Sequence, residues 1–101
     1  IFRAMTDCIQ ISKMYWRYVD GSAAPVTFEE AFYMATRGGG EFFGRVGSLQ
    51  EGFSFDALVI DDSMLLHPQP LSIRQRLERA VYLSLDMNGI VGKFVAGNRI
   101  I

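Results

Sequence analysis

Apolar residues recur at helical spacing from the first position of the chain: Ile1, Met5, Cys8, Ile9, Tyr15, Trp16 and Val19. This pattern predicts a helix running to about Val19, ended by Asp20-Gly21-Ser22 with Pro25 just beyond. No Ser, Thr, Asp or Asn precedes it as a cap, so the helix is expected to begin mid-element. The chain also stops abruptly, at Ile100-Ile101, and the two ends together read as a segment of something longer.

A second helix has a stronger start. Thr27-Phe28-Glu29-Glu30 is a capping box, in which the Thr27 hydroxyl accepts the Glu30 amide hydrogen and Glu30 reaches back. Phe28, Ala31, Phe32 and Ala35 give its apolar stripe, and Gly38 is placed as a left-handed stop. Gly39 to Gly44 is expected to form one further short helical turn, with Phe42 and Phe43 facing inward.

Beyond a turn bracketed by Gly47 and Gly52, Phe55 to Ile60 reads as a buried strand. Asp61-Asp62-Ser63 ends it, and a proline-marked loop follows. Ser72 can cap a third helix at 73–83, with Ile73, Leu77, Ala80 and Val81 as its core face. Residues 84–89 read as a loop and Val91–Val95 as a strand. Ala96-Gly97-Asn98-Arg99 reads as a tight hairpin turn into Ile100. Three helices with two or three strands are too few to close a sheet, and Phe55–Ile60 has no pairing partner nearby in sequence.

Composition narrows the class. With 101 residues, 50% hydrophobic and 21% charged, the chain is globular and no longer than one small domain or part of a larger one. A net charge of -1 gives no overall pull toward nucleic acid or anionic lipid. The densest basic stretch, Arg74, Arg76 and Arg79, reads as a solvated helix face. The single cysteine, Cys8, excludes an internal disulfide and suits a reducing compartment, with a cytoplasmic location expected. No apolar run reaches the roughly 18 residues that span a bilayer.

The glycine-rich stretch Gly38-Gly39-Gly40-Glu41-Phe42-Phe43-Gly44-Arg45-Val46 invites comparison with phosphate loops. The dinucleotide fingerprint needs glycine at 43 and finds Phe43, after a helix where a strand is required. The P-loop spacing fits Gly39 and Gly44 but then needs Lys and Ser or Thr, where Arg45 and Val46 stand. The glycines are therefore expected to bend the chain and allow close approach.

Other candidate chemistry is thin. His67 is a solitary histidine with no partner at metal-site spacing. Asp61-Asp62 reads as a solvated turn, Ser72 as a cap, and Cys8 as a buried thiol rather than a nucleophile. Tyr15, Trp16 and Tyr18, with Met5, Met14 and Met34, read as packing. No catalytic, substrate-binding or metal-binding residue is expected in this segment.

The stretch TRGGGEFFGRVGSLQEGFSFDALVIDD resembles the C-terminal region of metal-dependent amidohydrolases, where a helix leads into G-S-x-x-x-G-x-x-x-D-A and a returning strand. Here those positions are Gly47, Ser48, Gly52, Asp56 and Ala57. Within that superfamily the closest resemblance is to the guanine deaminases. It is carried by FRAMTDCIQISKMYWR, TFEEAFYMATRGGGEFFGRVGSLQEGFSFDALVIDDS, RQRLERAVYL and KFVAGNRI. One departure falls after Tyr82-Leu83, where Ser84-Leu85-Asp86-Met87-Asn88 replaces the family's Gly-Asp-Asp-Arg-Asn.

The resemblance implies an α/β parent, a distorted (β/α)8 barrel beside a small β-sandwich. Residues 1–46 would supply the last barrel helices and 47–101 the C-terminal share of the sandwich, with one helix at about 73–83. It implies a hydrolase of purine catabolism in which a metal-activated water, usually on zinc, converts guanine to xanthine and ammonia. The zinc ligands would lie upstream of Ile1, the missing strands would come from the N-terminal region of the same enzyme, and the parent would be a homodimer. The segment alone would be inactive. Two other readings stay open: a related amidohydrolase acting on another amino-heterocycle, and a non-catalytic interaction module.

Overall fold

The computed structural model describes residues 1–83 and 89–101. The expectation concerning Ser84–Asn88 therefore lies outside the described residues.

Helix α1 spans Phe2–Tyr18, and Ile1 in the cap position makes no side-chain cap hydrogen bond. The Asp20 carboxylate closes its far end, accepting from the Ser22 amide at 2.9 Å and the Ser22 hydroxyl at 2.6 Å. Helix α2, Phe28–Tyr33, starts at the expected capping box: the Glu30 amide donates to Thr27 Oγ1 at 3.2 Å and the Thr27 amide to Glu30 Oε2 at 2.9 Å. Helix α3 covers Ile73–Leu83. Its Ser72 cap is reciprocal too, the Gln75 amide donating to Ser72 Oγ and the Ser72 amide to Gln75 Oε1.

The three helices share one core. Met5 and Ile9 of α1, Phe28 and Ala31 of α2 and Val81 of α3 are buried together, with Phe2, Val26, Ala35, Leu77 and Tyr82 packed around them. Ser12 stitches α1 to the α2 approach, its hydroxyl accepting from the Val26 amide at 2.9 Å. Arg74 of α3 donates to Glu29 of α2 and to Glu78 one turn along, with its guanidinium 5.7 Å from the Phe28 ring.

Several expected core positions face outward. Tyr15 and Trp16 on α1 and Val19 just beyond it are exposed, as are Met14 and Met34, because α2 and α3 cover only the arc around Met5 and Ile9. Ile73 at the first turn of α3 is 82% exposed, so the core face of that helix begins at Leu77.

Helix α2 does not stop at Gly38. Its backbone runs on as a π-helix over Met34–Gly38, stays right-handed through Gly39 and Gly40, and tightens into a 3-10 turn at Glu41–Phe43. Gly44, at φ 103°, is where it ends. Phe42 and Phe43 pack edge to face on each other, 5.1 Å apart, and point outward at 88% and 77% exposure.

The sheet is antiparallel, in the order β1-β2-β3, with β1 at Ala57–Ile60, β2 at Ile90–Val95 and β3 at Asn98–Arg99. The strand expected to lack a partner has one: Ala57 pairs with Phe94, Leu58 with Lys93 and Val59 with Gly92. The register then slips, so that Ile60 meets Ile90. Local periodicity holds no signal for such a distant pairing. The hairpin turn is shorter than expected, with Ala96 (φ 48°) and Gly97 (φ 79°) as its two central residues and Asn98 already in β3.

Leu58, Val59, Val91 and Val95 remain about half exposed, so the sheet is not covered by the helices. The radius of gyration is 15.4 Å, above the ~13 Å of a compact domain this size. Helices and sheet thus lie side by side rather than wrapped around a common core.

Candidate functional site

The glycine-marked stretch that carries the resemblance folds into one unit, running from the π-helix to the tip of the β2–β3 hairpin. Gly47 lies directly against the π-helix: a Cβ there would overlap the Thr36 carbonyl oxygen and stand 2.6 Å from its carbon. Gly40 makes the reciprocal approach, since its Cβ would stand 2.5 Å from the Val46 carbonyl oxygen. These two absent side chains let the helix end and the following loop touch backbone to backbone.

Side chains then fix the loop. The Ser48 hydroxyl accepts from the Gln50 amide at 3.3 Å, and the Ser54 amide donates to the Arg45 carbonyl at 2.7 Å. Arg37 lays its guanidinium 4.6 Å from the Phe53 ring and donates to Gln50 Oε1 at 3.2 Å. Its buried Nε has no acceptor among the described residues.

Asp56 ends this stretch. Its Oδ1 accepts from the Ala96 amide at 2.7 Å, and the neighbouring Phe55 carbonyl accepts from the Gly97 amide at 2.9 Å. Phe55 and Phe94 add an edge-to-face contact at 5.5 Å. Every residue of the G-S-x-x-x-G-x-x-x-D-A pattern thus has a structural task. Gly47 and Gly52 take positive φ, Ser48 braces a turn, Asp56 holds the hairpin tip and Ala57 opens β1. The close approach expected of the glycines is made at Gly40 and Gly47. The sequence reading missed the part played by Arg37, for which a basic residue beside a glycine triplet was the available signal.

The remaining candidates are dispersed. Asp61 accepts from the Ser63 amide at 2.9 Å, which holds its carboxyl below the ordinary carboxylate range. Asp62 takes a two-pronged bond from Arg76, at 2.7 and 2.8 Å, and is likewise lowered by that guanidinium. The neighbouring acids therefore serve different partners and do not form a proton-sharing pair. His67 Nδ1 meets the Gln69 carbonyl within its own loop.

The arginines of α3 are in use, not free. Arg74 bridges Glu29 and Glu78, Arg76 binds Asp62, and Arg79 donates to the Leu66 carbonyl at 3.1 Å. They pin the 61–72 loop and α2 onto α3 rather than presenting a row of cations.

Among the described residues no group of three or more His, Cys, Asp or Glu side chains could hold a metal ion. No helix among them is long and apolar enough to cross a membrane. Two shallow grooves stand out among the described residues. One, of about 530 Å³, is lined by Val26, Glu29, Glu30, Tyr33 and Met34; the other, of about 400 Å³, lies along α3 near Arg79 and Tyr82. Neither gathers a nucleophile, a base and an oxyanion donor.

A helical layer beside a small antiparallel sheet, joined by a braced glycine turn, is an arrangement consistent with part of a larger domain. Comparison with known proteins shows what it is similar to. No protein-family model matches the chain. It is 31% identical over 107 residues to a guanine deaminase of Dictyostelium discoideum, an alignment spanning 99% of this chain and 23% of that protein. A crystal structure of guanine deaminase from C. acetobutylicum, with guanine bound in its active site, superposes with a TM-score of 0.90 at 45% identity. That match covers 99% of this chain and 23% of the solved one. The chain is thus similar to one segment of these guanine deaminases and spans about a quarter of the length of the relatives it matches.

Proposed function

We propose that this chain is the C-terminal scaffold of a hydrolase that converts guanine and water to xanthine and ammonia. The observation that carries the reading is the near-complete structural match to a deaminase with guanine bound. In this reading residues 1–46 close a distorted (β/α)8 barrel and residues 47–101 contribute strands to the sandwich beside it. Helix α3 returns from that second part to pack on α1. The metal, zinc, and the guanine site belong to residues outside this segment, and the enzyme is a cytoplasmic homodimer.

The segment's work is positional. The braced glycine turn sets the direction in which the sheet leaves the helical layer, and the Asp56 contact sets where the hairpin tip lies.

The test is turnover by the complete polypeptide containing this chain. Guanine loss at its ultraviolet maximum, matched by equal ammonia release, is expected, with adenine, cytosine and triazines inert. The 101 residues alone are expected to show none, even with added zinc. Deamination of another amino-heterocycle in place of guanine would overturn the substrate, and turnover by the isolated segment would overturn the scaffold role.

A further inference from the structure

The turn that joins α2 to the braced loop leaves the α-helical hydrogen-bond pattern. Over Met34–Gly38 it is a π-helix, and the Gly39 amide donates to the Met34 carbonyl five residues back and the Thr36 carbonyl three back. Gly38 and Gly39 are fitted to this wider turn. A Cβ on Gly39 would stand 2.6 Å from the Met34 carbonyl oxygen. One on Gly38 would stand 2.9 Å from the Tyr33 ring and 3.3 Å from the Tyr33 carbonyl oxygen. Both carbonyls lie five residues back, well beyond one α-helical turn of about 3.6 residues, so these close approaches belong to the π form. The same turn carries the contacts that brace the loop. Gly47 lies on the Thr36–Arg37 peptide, Gly40 meets the Val46 carbonyl, and Arg37 reaches Phe53 and Gln50. The first half of α2 is held elsewhere, with Phe28 and Ala31 buried together with Met5, Ile9 and Val81.

We infer that Met34–Gly38 is a register switch between the helical layer and the sheet unit, π while the 45–54 loop is docked and α when it is released. In the α form the residues after Met34 sit up to about 100° further round the axis. That rotation takes the Thr36–Arg37 peptide off Gly47 and the Arg37 guanidinium off Phe53, so docking and the π form require each other. Release leaves few backbone groups unpaired, because an amide that bonded five residues back finds an acceptor four back. Glycine at 38 and 39 keeps both forms open. A side chain there fits the α form alone, and alanine favours that form by propensity as well. The loop can then detach and re-seat while α2 stays helical, an opening unit smaller than the fold. The joint thus has two states where the scaffold reading needs one, and neither depends on the substrate of the complete enzyme.

The test is hydrogen exchange, resolved by residue with mass spectrometry, on the complete polypeptide. The Phe53 and Ser54 amides report on the loop, since they bond the Gln50 and Arg45 carbonyls. Gly39→Ala is expected to speed exchange at both by at least about 10-fold. Amides at 36–40 are expected to keep helical protection, as are those of Met5–Ile9 in the core. Gly21→Ala, where a Cβ would meet only the Trp16 carbonyl oxygen at 4.0 Å, is expected to change none of them. Arg37→Gln loosens the loop from its own side and is expected to give the pattern of Gly39→Ala without touching a glycine, so the test stands should Gly39→Ala fail to fold. Unchanged exchange at Phe53 and Ser54 in either variant overturns the coupling, and so does an equal response to Gly21→Ala. Protection lost at 36–40 together with the loop overturns the switch and makes the event a local melting.

Discussion

Gly47 and Gly52 sit at nearly the same backbone angle, φ 82° and 85°, yet their surroundings differ. A Cβ at Gly52 would meet only the tip of the Arg45 side chain, at 3.1 Å. A Cβ at Gly47 would run into the Thr36 carbonyl, with its carbon at 2.6 Å and the Arg37 amide nitrogen at 3.1 Å. Alanine at either position pays a left-handed conformational cost of about 1–2 kcal/mol. Reduced freedom of the unfolded chain returns about 0.4–1 kcal/mol in both. At Gly52 a swing of Arg45 removes the contact, leaving a net loss of about 1 kcal/mol. At Gly47 the obstacle is helix backbone, and overpacking adds about 1–3 kcal/mol. Gly47→Ala is therefore expected to cost about 3 kcal/mol in all. Equilibrium urea unfolding followed by far-ultraviolet circular dichroism reads both losses, provided the m-values match wild type. Equal losses, within about 0.5 kcal/mol, would refute the close approach and reduce Gly47 to a turn residue like Gly52.

Two further outcomes test other parts of the fold. Ala96 holds φ 48° at the first central position of the hairpin turn. Ala96→Asn is expected to raise stability by about 0.5–1 kcal/mol, seen as a higher Tm, and a lower Tm would contradict the turn assignment. The Arg76 guanidinium holds the Asp62 carboxyl below its ordinary value, so the stabilisation is complete above about pH 4. It is lost as pH falls through the depressed folded value. In Arg76→Gln the Asp62 midpoint, followed by carboxyl carbon NMR, is expected to rise; an unmoved midpoint would remove Arg76 as the cause.

The parts of the fold legible in the sequence are those written in consecutive residues. Thr27 with Glu30, and Ser72 ahead of Ile73, mark helix starts because a capping side chain reaches only three residues. Ala96-Gly97 marks a turn because only a few residues tolerate positive φ. The Gly38 stop failed for a different reason. Glycine serves a left-handed helix end and a crowded right-handed helix equally well, and here the Tyr33 ring and carbonyl stand within 3.3 Å of where a Gly38 Cβ would lie. Phe42 and Phe43 misled because periodicity counts apolar side chains without saying which neighbour covers them. The partner of β1 lay beyond local inspection, since its pairing closes across the whole of α3. The motif was legible as a pattern, while the task of Asp56 was not, because its hydrogen-bond donor is Ala96.

The Asp61 amide donates to the Gly89 carbonyl at 2.7 Å, at the point where β1 leaves the sheet and β2 returns. Between those two residues the chain makes its excursion through α3 and back. With both ends of the excursion held a strand's spacing apart, its closure entropy is met once, by the sheet. Helix α3 then seeks α1 from a doubly anchored tether, at a local concentration that a free chain end would not reach. The sheet thus assists the helical core by shortening a search.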